Sequence, residues 1–95
     1  MAPDIIAAIP RGQYVVRVVF ADGEVRDVDI EPILDGPVFQ ALRAHDEFAK
    51  VFVDPETHTI AWPNGADLDP DVLYDPSLEP VSGRGPRVTV LRPAA

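Results

Sequence analysis

The segment QYVVRVVFADGEVRDVDI, residues 13–30, constrains this chain more than any other, because it fits two hairpins that turn opposite faces inward. A two-residue loop at Asp22-Gly23 sets Val16 opposite Asp29 and Val18 opposite Asp27. A three-residue loop, Ala21-Asp22-Gly23 with Gly23 left-handed, sets Tyr14 opposite Ile30 and Val16 opposite Val28. Only the second gathers Tyr14, Val16, Val18, Phe20, Val28 and Ile30 on one face and sends Asp27 and Asp29 to the other. A one-residue slip would reverse every side chain, so the apolar pattern selects the three-residue loop. Asp27 and Asp29 are then expected to be exposed, on a face whose charge discourages edge pairing.

The remaining chain reads as short elements. It has eleven prolines in 95 residues, about twice the usual share, and proline interrupts helices and central strands. DIIAAI, residues 4–9, reads as a first strand closed by the turn PRG. In EPILDG, Pro32 suits a first helical position and Gly36 a stop, which leaves one turn at most. GPVFQALRAHDEFAK is the one helical stretch of any length, with Val38, Phe39 and Leu42 at helical spacing; His45-Asp46 breaks the run, and Asp46 is placed to cap a second turn carrying Phe48. KVFVDPETHTIAW reads as a second hairpin. Its loop, 55–58, pairs Val53 with Ile60 and Val51 with Trp62 and gives His58 a left-handed backbone.

The stretch WPNGADLDPDVLYD, 62–75, ends that strand and starts a helix. Pro63 cannot donate to a ladder, Asn64-Gly65 turns the chain, and Asp69 before Pro70 is an N-cap followed by a preorganised first residue. Of its four carboxylates, Asp67 alone lacks a local task. RVTVLR, 87–92, is a strand candidate in the tail. The fold class expected is α+β: a small antiparallel sheet of two hairpins plus an N-terminal strand, with short helices on one face. The module spans residues 1–76, and 77–95 is a proline-rich extension with a strand at 87–92.

Charge is uneven. Residues 1–79 hold sixteen acids and five bases, net −11, while 80–95 hold Arg84, Arg87 and Arg92 and no acid, net +3. An acidic body repels phosphates, which argues against direct nucleic-acid binding. The absence of cysteine removes disulfide and thiolate chemistry. MAPDII has no basic region or long apolar run, and no stretch reaches the length of a membrane span. A cytoplasmic protein is the expectation.

At this point the residues resemble a known family. FADGEVRDVDIEPILDGPVFQALR, FAKVFVDPETHTIAWPNGADLDPDVLYD and the leading DI are similar to the bacterial domain of unknown function 2442, over residues 4–75. The resemblance implies an α+β sheet of hairpins with short helices on one face. It also implies association with a second small protein, in a toxin–antitoxin-like or regulatory pair. Some members carry a helix-turn-helix domain after this module; the tail from Ser77 is too short and proline-rich for one. Many members have glycine where this chain has His58. The resemblance supplies no catalytic residues.

Each chemical reading of the residues competes with a plainer one. Asp67, Asp69, Asp71 and Asp75 start like a calcium loop, but Pro70 interrupts it and no glutamate closes it, so capping and solubility explain them better. His45-Asp46-Glu47 reads as a solvated cap before it reads as an acid–base cluster. With His45 and His58 the only histidines, a zinc set is not assembled. Ser77 and Ser82 lack a nucleophile elbow, and SGRGP lacks the lysine and strand of a phosphate loop. No catalytic, cofactor or metal site is expected. Trp62 suits a partner anchor, although its phase with Val51, Val53 and Ile60 favours the core. The interaction candidates are Trp62, Asn64, Asp67, Arg87, Val88, Val90 and Arg92. The function expected is a non-catalytic protein-interaction module. The alternatives are a homodimer with a docked C-terminal strand and, last, a small ligand-binding protein or enzyme. Arg87–Arg92 is expected to dock on the acidic body of its own or a twin chain, burying Val88 or Val90 with Leu91.

Overall fold

The computed structural model describes residues 2–75, 77–78 and 85–92. The strands are β1 (Ile5–Pro10), β2 (Val15–Phe20), β3 (Val25–Asp29), β4 (Phe52–Val53), β5 (Ile60–Ala61) and β6 (Arg87–Arg92). The helices are α1 (His45–Phe48) and α2 (Pro70–Tyr74), with 3-10 turns at Glu31–Ile33 and Gln40–Arg43. One antiparallel sheet has the order β1-β2-β3-β6, and β4 and β5 form a second, two-stranded sheet. This is an α+β fold in which the sheets predominate.

The hairpin register is the one that the apolar pattern selects. Val16 lies opposite Val28, the Ile30 N–H donates to the Tyr14 carbonyl at 2.9 Å, and Gly23 takes φ +93° in the loop. Val16, Val18, Phe20, Val28 and Ile30 are fully buried. Ile5 and the half-buried Val88 join the same face from the flanking strands. Leu34, Leu42, Phe48, Trp62 and Leu73 pack on it from the turns and helices. Trp62 is 1% exposed; its indole N–H donates to the Phe48 carbonyl at 2.8 Å, which satisfies the one polar atom that burial would strand. Trp62 therefore belongs to the core and offers a partner no surface.

Three local expectations are corrected. Asp27 and Asp29 are only half-exposed, because each takes an arginine: Arg17 forks onto Asp27 at 2.9 and 3.1 Å, and Arg87 reaches Asp29 at 2.9 Å. The stretch 37–50 divides into a 3-10 turn and a four-residue helix, as a broken run should, with the break at Ala44, just before His45-Asp46. Asp46 lies inside that helix and caps nothing, since Ala44 stands at the N-cap without a side-chain bond. In the second hairpin Val53 pairs with Ile60 and His58 takes φ +58°. The β4–β5 ladder stops at Phe52 and Ala61, however, and does not reach Val51 and Trp62. There the Trp62 N–H turns to the Ala66 carbonyl at 2.8 Å across the Asn64-Gly65 turn.

α2 forms as expected. The Asp69 side chain accepts from the Asp71 N–H at 2.9 Å and Pro70 opens the helix. Leu73 is fully buried, and Asp71 reaches back to accept from the Ala2 N–H at 2.6 Å. No described helix is long and apolar enough to cross a membrane.

Candidate functional site

The tail strand positions the site. β6 docks in its own chain, antiparallel to β3, with Val88 opposite Val28, Thr89 opposite Asp27 and Arg87 opposite Asp29. A register shift at Val25/Arg26 makes Arg26 face Val90 and Val25 face Arg92, with Leu91 as the extra residue. Val88 alone is half-buried. Val90 and Leu91 stay 46% and 43% exposed, so Val88 is the valine that packs inward and the expected burial of Leu91 beside it is not met.

Antiparallel pairs alternate in the direction of their backbone bonds. The Tyr14–Ile30 and Phe20–Glu24 bonds fix the even positions of β3 toward β2. The odd positions Asp27 and Asp29 then bond Thr89 and Arg87. Val88 and Val90 are left with their N–H and C=O groups pointing away from the sheet. The opposite edge differs. On β1 the Ile5 N–H donates to the His58 carbonyl at 3.0 Å, and Pro10 has no N–H to offer. β6 contains no proline, and its two ends carry Arg87 and Arg92, both exposed.

Asn64 and Asp67 lie elsewhere. Asn64 accepts from the Ala66 N–H and donates to the Val38 carbonyl, each at 3.0 Å, tying its turn to the 37–39 loop. Asp67 makes an isolated bridge to Ala61 and lines a groove of about 320 Å3 with Ile33, Phe39, Leu68 and Val72. Asp69 also lines that groove, but its carboxylate is engaged as the α2 cap. The structure thus gathers Arg87, Val88, Val90 and Arg92 along one edge and keeps Trp62, Asn64 and Asp67 apart from it. The described part of the tail excludes Ser82 and Arg84. Ser77 donates to Asp75 at 2.6 Å, and its hydrogen bonds hold that carboxyl below the usual range.

One cluster escaped sequence reasoning. Arg26 is 3% exposed, on the same face as Val28, with its guanidinium 5.8 Å from the Phe20 ring and 5.3 Å from the Tyr74 ring. It pairs with Glu24 and donates to the Tyr74 carbonyl at 2.9 Å, while its Nε is buried without a partner. The Tyr74 hydroxyl donates to Asp22 at 2.5 Å. That bond lowers the Asp22 pKa and raises that of Tyr74; the Arg26 hydrogen bond lowers Glu24. The period-two alternation of β3 already placed residue 26 inward, and that was the available signal. The cluster pins α2 to β3. Among the described residues no group of three or more histidines and carboxylates could hold a metal ion.

A family model described as "Protein of unknown function (DUF2442)" matches residues 5–79. No curated protein and no solved structure matches the chain. The matched span ends before β6 begins, so the fourth strand of the main sheet comes from beyond it.

Proposed function

The chain belongs to the DUF2442 family of proteins of unknown function, and from that premise we propose that it is a non-catalytic protein-interaction module. It serves as one component of a toxin–antitoxin-like or regulatory pair in the bacterial cytoplasm, with another small protein, encoded by the neighbouring gene, as its partner. The observation that carries this reading is the edge of β6. There, exposed Val90 and Leu91 lie beside backbone groups that no described residue bonds. An edge of this kind invites a further strand.

The test is co-expression with the product of the neighbouring gene, capture through a tag on that product, and light scattering of the eluate. A stoichiometric complex is expected. Light scattering of the chain alone identifies self-assembly if its mass is doubled. Loss of complex formation in both orders of tagging, together with turnover of a substrate abolished by His45→Ala, would replace this reading with an enzymatic one.

A further inference from the structure

Resting on that reading, we propose that the open edge of β6 takes an extended segment of the partner as a fifth strand, and that this segment carries two carboxylates four residues apart with apolar residues between them. The backbone sets the pairing. Val88 and Val90 point both of their hydrogen-bonding groups outward, one dipeptide repeat apart, which is the spacing of a strand-addition site. The side chains set the chemistry. Arg87, Thr89 and Arg92 share the outer face of the sheet, opposite Asp29, Asp27 and Val25 of β3. The bulge at Leu91 means that Arg87 and Arg92 are matched on β3 by positions only four apart. A strand on the other side meets the same spacing.

The inner edge already displays the chemistry. β3 offers Asp29 to Arg87 at 2.9 Å, yet the Arg87 side chain remains 68% exposed and keeps donors for a second carboxylate. Arg92 faces Val25 and has no carboxylate opposite it. Inward positions of the added strand would lie beside Val88 and Val90, extending the apolar face.

A second copy of this chain fits the edge poorly. The antiparallel β6–β6 register that uses both outward valines, Val88 of each copy against Val90 of the other, sets Arg87 against Arg92, and like charges directly opposite destabilise a strand pair. Arginines at both ends therefore guard the edge against its own kind and favour an acidic strand. Charge also selects the edge over the rest of the surface, since residues 1–79 carry −11 and 80–95 carry +3.

The experiment uses the full chain, labelled with nitrogen-15, and the blocked peptide TDVTVDT, whose aspartates are four apart. The control is TVDTDVT, of the same composition with aspartates two apart. Expected are saturable amide shifts centred on Val88 and Val90, slowed exchange at those two amides, and binding at least tenfold tighter than the control. Affinity should fall as salt rises. Val90→Pro removes an outward N–H and no ladder bond, so its circular dichroism should stay native while binding is lost. Arg87→Gln with Arg92→Gln, a second variant that leaves the backbone edge intact, should weaken binding at least tenfold. Equal binding by Val90→Pro, equal binding of the two peptides, affinity that rises with salt, or shifts confined to the groove at Phe39 and Asp67 would each overturn the proposal. So would a doubled mass of the chain alone that Val90→Pro abolishes, which would make a second copy the occupant. If the peptide fails but the neighbouring gene's product still binds both variants, the interaction-module reading stands and the β6 proposal falls. If neither binds, both fall.

Discussion

β1 and β6 are the outer strands of one sheet, and by side-chain exposure they look alike. Ile6 and Ile9 are 62% and 44% exposed on one edge, Val90 and Leu91 are 46% and 43% exposed on the other. Their backbones differ. β1 is closed at its start by the Ile5–His58 bond and at its end by Pro10, whereas β6 leaves Val88 and Val90 with outward N–H and C=O groups. β1 is stopped at both ends by backbone chemistry, with Ala8 between them facing outward by the same alternation, whereas β6 carries an arginine at each end. Exposed apolar area alone therefore does not mark an edge as a docking site. A run of outward backbone groups that no closing bond or proline interrupts does.

The largest test of this contrast attacks the closure of β1. Trp62→Ala should cost about 3–5 kcal/mol, the usual loss for a buried aromatic, and should loosen the β4–β5 hairpin that supplies the His58 carbonyl. Urea denaturation measures the loss, and faster exchange of the Ile5 amide would show that β1 has opened as well. Deleting residues 80–95 attacks the other edge. It removes the half-buried Val88 and the β3–β6 ladder, for a loss on the order of 2 kcal/mol. Light scattering should show no change in oligomeric state, because β6 docks in its own chain; a dimer that becomes a monomer would reverse that assignment. A smaller effect is expected at α2, which is held against β3 between the two edges. Asp69→Ala should cost about 1 kcal/mol, as a lost N-cap does, with no change of exchange rate at either edge.

The smallest effects are those of pH on the Asp22–Tyr74–Glu24–Arg26 cluster. Asp22 and Glu24 titrate below their ordinary values in the folded chain. The stability they contribute is therefore present above the ordinary carboxylate range and lost as pH falls through their folded values. Tyr74 titrates above its ordinary value. Its contribution is complete below that value, near pH 10, and is lost at more alkaline pH. Tyr74→Phe should flatten both flanks of a stability-against-pH curve. A variant whose acid and alkaline flanks match those of the parent chain would take Tyr74 out of the linkage.

Much of this fold was legible because its hairpins carry strict alternation and unambiguous turn chemistry. The registers at Val16–Val28 and Val53–Ile60, the left-handed Gly23 and His58, and the Asp69 cap all follow from such local rules. The misses share a physical cause as well. Within 37–50 the break falls at Ala44, whose ψ of 119° is extended, and not at His45-Asp46, so Asp46 lies inside the second piece and caps nothing. Arg26 carries an inward position of β3, and its burial is tolerable because Phe20 and Tyr74 supply aromatic faces and Glu24 a carboxylate, contacts that come from the fold and not from the pattern of β3. Asp27 and Asp29 face outward as expected but are half-covered, which depends on arginines from two other strands. Where the site lies depends on which odd or even backbone groups β3 spends on β2, and no sequence pattern states that.

The distance along the chain between the partners in the β3–β6 ladder also has a meaning in time. Asp29 and Arg87 are separated by 58 residues, so at synthesis rates of about 5–20 residues per second β3 waits roughly 3–12 s for its outer neighbour. During that interval the growing chain can already pair β1, β2 and β3; Arg17 then holds Asp27, while Asp29 stands on the rim without its arginine. Fresh copies of the same chain emerging nearby meet that carboxylate as like charge. Arg87, which neutralises it, arrives with the strand that covers the rim.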